Sequence, residues 1–159
     1  MSGRSVCQSL SLLLLISLLT ACQPSARGNP RQMIVEWPEK RLVFIADERI
    51  GSVRAFQLGA GAPVLAAQTR GFERSSVRDI KLDAVRRQLW VLGADGVYVH
   101  DAQSLVLRKR IPLDARDVAG LRIENGGVTL LATGDVQLGR IDTATLVAVW
   151  RSALSVRRG

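Results

Sequence analysis

Arg87-Gln-Leu-Trp-Val-Leu-Gly93, then Gly96-Val-Tyr-Val-His-Asp101, then Ala102-Gln-Ser-Leu105, is the stretch whose reading decides the fold. It is an apolar run of strand length, a turn, an alternating run, and a turn opened by an aspartate. Val, Leu, Tyr and Trp suit a pleated surface, while Gly and Asp suit the tight connections between strands. Two further copies align with it. Upstream, Arg41-Leu-Val-Phe-Ile-Ala-Asp47 leads to Gly51-Ser-Val-Arg-Ala-Phe56. Downstream, Gly127-Val-Thr-Leu-Leu-Ala-Thr133 leads to Val136-Gln-Leu-Gly-Arg-Ile-Asp142. Asp101-Ala-Gln-Ser-Leu105 lines up with Asp142-Thr-Ala-Thr-Leu146, 41 positions later, and Gln57 takes the same place in the first copy.

Each copy also begins with a short strand, around Met33–Trp37, Val77–Leu82 and Leu121–Glu124. Four short strands per copy, with turn signals about every ten residues, predict an all-β architecture. A repeat of about 40 to 45 residues with four strands selects the propeller blade. The runs Leu42–Ile45 and Leu89–Leu92 are apolar on both faces, as expected of inner strands sandwiched between neighbouring sheets. The fold expected is therefore about three four-stranded antiparallel blades over residues 33–151.

The segments Leu89-Trp-Val-Leu, Val97-Tyr-Val-His-Asp-Ala-Gln-Ser-Leu and Gln137-Leu-Gly-Arg-Ile-Asp-Thr-Ala-Thr-Leu resemble the YVTN-type and related quinoprotein-like β-propeller repeats. In those families a strand, an Asp-Thr-Ala-Thr turn and a second strand close the outer hairpin of each blade. Such propellers carry about four to eight blades, and three fit here. Three blades do not readily close a ring, and an open array leaves an apolar face at each end. Three arrangements would resolve this: two chains paired head to tail as a six-bladed ring, docking onto a larger partner, or a compact barrel-like or sandwich unit.

Residues 1–21 have a different character. Arg4 is followed by the apolar run Leu10–Leu19, too short to span a bilayer and suited to a secretory signal core. It ends in Leu19-Thr20-Ala21-Cys22, which resembles the lipobox of bacterial lipoproteins. The resemblance implies a signal peptide over 1–21, lipid on Cys22 (palmitate-type acylation), and attachment to a membrane facing the periplasm. Gln23 rather than Asp after the cysteine points to the outer membrane. Residues 22–32 then form the lipidated anchor and a Pro/Gly-bearing linker.

Of the two cysteines, Cys7 lies inside the signal segment, so the mature chain is expected to hold no disulfide and no cysteine-based metal site. The net charge is +8, carried almost wholly by Arg. That suits anionic headgroups or acidic partners, and an exported chain is not expected to meet nucleic acid. His100 is the one histidine, and its neighbour Asp101 points to the opposite face of a strand, so the pair makes no general base. Gly59-Ala-Gly-Ala-Pro63 lacks the Lys-Ser/Thr of a phosphate cradle. No enzyme activity and no cofactor is expected. Trp37, Trp90 and Trp150 occupy strand positions, where core packing is the first expectation and a binding groove the second. Trp37 and Trp150, with Arg151, Arg157 and Arg158 of the basic tail over 152–159, are the candidate interaction residues. The function expected is a tethered, non-catalytic interaction, scaffold or assembly module; the alternative is a module for glycan, lipopolysaccharide or another anionic envelope component. A homodimer or a larger envelope protein is the expected partner.

Overall fold

The computed structural model describes residues 32–47, 51–70, 77–113 and 117–150. The expected signal segment, Cys22 and the tail arginines lie outside them. Three four-stranded antiparallel meanders follow one another. Blade 1 contains β1 (Gln32–Trp37), β2 (Leu42–Asp47), β3 (Ser52–Gln57) and β4 (Val64–Gln68), with one 3-10 turn at Pro38–Lys40. Blade 2 contains β5 (Asp79–Asp83), β6 (Gln88–Leu92), β7 (Gly96–Asp101) and β8 (Leu107–Pro112). Blade 3 contains β9 (Gly120–Glu124), β10 (Gly127–Leu131), β11 (Gln137–Asp142) and β12 (Ala148–Trp150). The first strands lie side by side, β1 on β5 and β5 on β9, as the inner strands of successive blades do.

The turns repeat with the sequence. The residue before each second strand has a left-handed backbone: Arg41 (φ 53°), Arg87 (φ 54°) and Gly126 (φ 76°). Left-handed backbone is costly for a residue with a Cβ, and only the third copy places glycine there. Gly134 (φ 80°) and Asp135 (φ 61°) make the positive-φ pair of a tight hairpin. Gly96 is required for another reason. A Cβ there would sit 2.5 Å from the backbone oxygen of Ile111 on β8.

Alternation along each strand sorts residues onto two faces, and packing is sequential. Phe44, Ala46, Val53 and Ala55 of blade 1 meet Ile80, Leu89, Val91 and Tyr98 of blade 2 in one core. Trp90, Leu92, Val97 and Val99 of blade 2 meet Leu121, Val128, Leu130 and Ile141 of blade 3 in a second. Blade 2 is thus covered on both faces, and β6 is buried throughout. The sheets form an open array and not the compact barrel or sandwich. Each blade turns one face to the blade before it and the opposite face to the blade after it.

Candidate interaction surfaces

Open packing leaves two faces without a neighbouring blade among the described residues. The register of blade 1 puts Ile34 opposite Ile45 and Arg54, and Glu36 opposite Val43 and Phe56, all on the face turned away from blade 2. Leu65 continues that face beyond Phe56. Ile34 is 58% exposed and Leu65 51%. Val43, Ile45 and Phe56 are half-buried. The corresponding faces of blades 2 and 3 are apolar, and each is buried against the preceding blade. The open face of blade 1 shares their apolar centre and adds the charged Glu36, Asp47 and Arg54 around it.

The open face of blade 3 is built differently. The positions that hold Phe44 in β2 and Trp90 in β6 hold Thr129 in β10. Register places Arg122 on one side of Thr129 and Arg140 on the other. Arg140 lies over Gly127, where a Cβ would be 2.1 Å from its Nε, and donates to the Asn125 carbonyl at 2.6 Å. Among the described residues Arg122 makes long ion pairs, 3.9 Å to Glu124 and 3.8 Å to Asp135. Beneath them Thr129 is 1% exposed, and its hydroxyl has no hydrogen-bond partner among the described residues.

The candidate tryptophans are not equivalent. Trp37 is 4% exposed and packs in the core between blades 1 and 2, so its side chain is absent from the surface a contact residue needs. Trp90 is wholly buried between blades 2 and 3. Trp150 is 45% exposed on the last strand and packs over Gly139. Cys22, Arg151, Arg157 and Arg158 lie outside the described residues.

His100 and Asp101 do not form a pair. Nδ1 of His100 is 3.0 Å from the Leu105 carbonyl, which accepts its proton, and burial pushes the ring below the ordinary imidazole pKa. Buried and neutral, it is a packing residue. Asp101 instead organises its turn. One carboxylate oxygen accepts from the Ser104 N–H at 2.9 Å, the Gln103 N–H at 3.0 Å and the Ser104 hydroxyl at 3.0 Å. The other pairs with Arg108. Asp142 repeats the arrangement with Ala144 and Thr145. The Ser104 backbone hydrogen bond, with help from Arg108, lowers the Asp101 pKa to about 2. A carboxylate lowered in the folded state stabilises above its unfolded pKa and loses that contribution as pH falls towards 2. Asp101→Ala should cost about 1–2 kcal/mol at pH 7, allowing for solvent screening. The difference from the parent should shrink between pH 4 and pH 2, as read by urea unfolding. An equal cost at both ends would mean the charge plays no part.

Among the described residues no three His, Cys, Asp or Glu side chains gather as a metal site. A cleft of about 490 Å³ between the starts of blades 2 and 3 is lined by Arg78, Asp117, Val118, Ala119, Ala132 and Thr133. Arg78 there is engaged with the Val118 carbonyl at 3.4 Å.

The structure superposes on solved structures that include a β-propeller domain. It matches Saccharomyces cerevisiae Sqt1 with a TM-score of 0.62 at 11% identity, over 76% of this chain and 34% of that one. A computationally designed protein, Ika8, matches with a TM-score of 0.56 at 14% identity, over 73% and 33%. The Myceliophteria thermophila Cps50 (Swd1) β-propeller domain matches with a TM-score of 0.54 at 8% identity, over 65% and 37%. The fold is a β-propeller segment. The chain spans about a third of the length of each of these proteins. No protein-family model and no curated relative matches it.

Proposed function

We propose that the chain is a membrane-tethered, non-catalytic interaction module of the cell envelope, held by lipid on Cys22 and facing the periplasm. The observation that carries the interaction is the open face of blade 1. Its Ile34, Val43, Ile45, Phe56 and Leu65 continue the apolar character of faces that are buried elsewhere in the array. Exposed apolar faces of this kind mark association sites. One fold hosts many unrelated functions, so the partner must be read from the site and not from the fold.

The tether is supported by Leu19-Thr20-Ala21-Cys22 after a short apolar run. Cys22 with two or more acyl chains would anchor the array durably, and one chain would not. The full chain expressed in a bacterial host with labelled palmitate should carry the label and fractionate with outer membranes, and Cys22→Ser should carry none. An unlabelled parent chain would end the tether reading.

A second reading, binding of an anionic envelope component such as lipopolysaccharide, is favoured by the Arg122–Thr129–Arg140 row on the open face of blade 3. Anionic lipid A vesicles should retain the protein in low salt and release it in high salt. Arg122→Ala with Arg140→Ala should lose most of that retention. Equal retention on neutral vesicles would remove this reading.

A further inference from the structure

We propose that two copies of this chain pair face to face through blade 1, about a two-fold axis lying along the Ile34–Phe56 diagonal of the sheet. The inference deepens the interaction reading by naming the partner as a second copy.

Two features of the array decide between the occupants. Inside the chain, each face of the blade 1 type is covered by a face centred on a large aromatic, Phe44 or Trp90. The far end of the array offers no such face, because Thr129 stands in the aromatic's place between Arg122 and Arg140. Head-to-tail pairing would therefore press Ile34, Val43, Ile45, Phe56 and Leu65 against two guanidinium groups. Such a contact would lack the aromatic that centres both contacts inside the chain, and this disfavours the six-bladed ring even though Glu36 and Asp47 of the blade 1 face carry charge opposite to the two arginines.

The open face of blade 1 complements itself instead. Four residues frame Val43 and Ile45 of the second strand. Glu36 and Phe56 flank Val43, and Ile34 and Arg54 flank Ile45. Glu36 and Arg54 thus stand at opposite corners with opposite charge, while Ile34 and Phe56 hold the other two corners. Rotation by a half turn about the Ile34–Phe56 diagonal turns the sheet over and brings Glu36 above Arg54 and Arg54 above Glu36. Ile34 then meets Ile34, and Phe56 meets Phe56. The strands of the two copies cross at near right angles, an established packing of one sheet on another. Such an interface is isologous and closes at two copies. Four short strands give a contact smaller than that of a standard stable complex, so pairing depends on local concentration, which a shared membrane raises.

The test uses the full chain in bacterial membranes, in a Cys7→Ser background so that Cys22 is the only native cysteine left. Stacked sheets lie about 10 Å apart, beyond direct disulfide reach, so a short bismaleimide is the probe. Ile34→Cys should give a cross-linked homodimer. Val149→Cys, on the open face of blade 3, should give none. Glu36→Arg or Arg54→Glu, added singly to Ile34→Cys, should cut the dimer yield roughly five-fold. Combining them should restore it, a result that misfolding of either single variant could not produce. No homodimer from Ile34→Cys at parental abundance would overturn the pairing. So would a mixed Ile34→Cys–Val149→Cys product, which reports a head-to-tail ring, or a cross-link only to a larger host protein. The parent carrying Cys22 alone separates the two readings: reaction at Cys22 reports a free thiol and counts against the tether, leaving the pairing to be judged on Ile34→Cys.

Discussion

Trp90→Ala should lower the unfolding free energy by about 3–5 kcal/mol, the range for removing a large aromatic from a packed core. For a domain of this size that is a large share of the total, so the variant should be mostly unfolded or degraded at 37 °C. Trp90 is the largest wholly buried side chain, set between Leu92, Val97 and Val99 of its own blade and Val128 and Leu130 of the next. Both faces of blade 2 are cores, so a void there has no solvent-exposed flank to collapse inward. Trp90→Phe should be far milder. The indole Nε1–H has no hydrogen-bond partner among the described residues, and phenylalanine removes that unsatisfied donor while keeping most of the ring. Urea unfolding of the three proteins would read the contrast. Equal losses for Ala and Phe would mean that ring packing is not what Trp90 chiefly contributes.

Asp79→Ala carries the second large expectation, about 2–3 kcal/mol. One Asp79 oxygen accepts the Leu121 N–H at 2.8 Å, from the first strand of the next blade. The other accepts the Ile80 N–H at 2.9 Å and pairs with Lys81 at 3.0 Å. Inner strands of neighbouring blades run beside one another without a continuous hydrogen-bonded ladder, so this carboxylate links two sheets that otherwise meet through side chains. Removing it leaves a backbone donor near the core unpaired, and that loss exceeds the net worth of one hydrogen bond. Hydrogen exchange should localise the effect, with the Leu121 amide losing protection well before the centre of β10. A uniform loss across all three blades would show instead that Asp79 supports the fold as a whole.

The repeat was legible because its turns are chemically marked. Asp101 and Asp142 hold identical positions, each opposite the first residue of its blade's second strand, Gln88 or Gly127. Gln57 occupies that place opposite Leu42. There it donates to the Lys40 and Arg41 carbonyls, so the drifted copy still serves the turn by a different bond. Strand positions followed from alternation in the same way. What alternation could not say is which face meets which neighbour. Trp37 stands at a strand position that allows core packing or a binding groove, and register settles it into the first core beside Leu42. The difference between the two open ends was hidden for the same reason. Arg122, Thr129 and Arg140 are far apart in sequence, and only pairing across three strands makes them one row. Nothing local in Asp79-Ile-Lys81 signals the Asp79 bond to an amide 42 residues away.

The unlike ends of the array bear on solubility as well as on partnership. A chain whose two ends matched would join head to tail, closing a ring where the rotation allows and growing a fibre where it does not. Placing arginines and a threonine where a key aromatic should stand breaks that chain reaction after the first step. Restoring the aromatic with Thr129→Trp, together with Arg140→Val, would rebuild the missing socket and favour polymerisation, visible as light scattering that climbs with protein concentration. An unlike end of this kind works against repeated end-to-end growth of three apolar sheets.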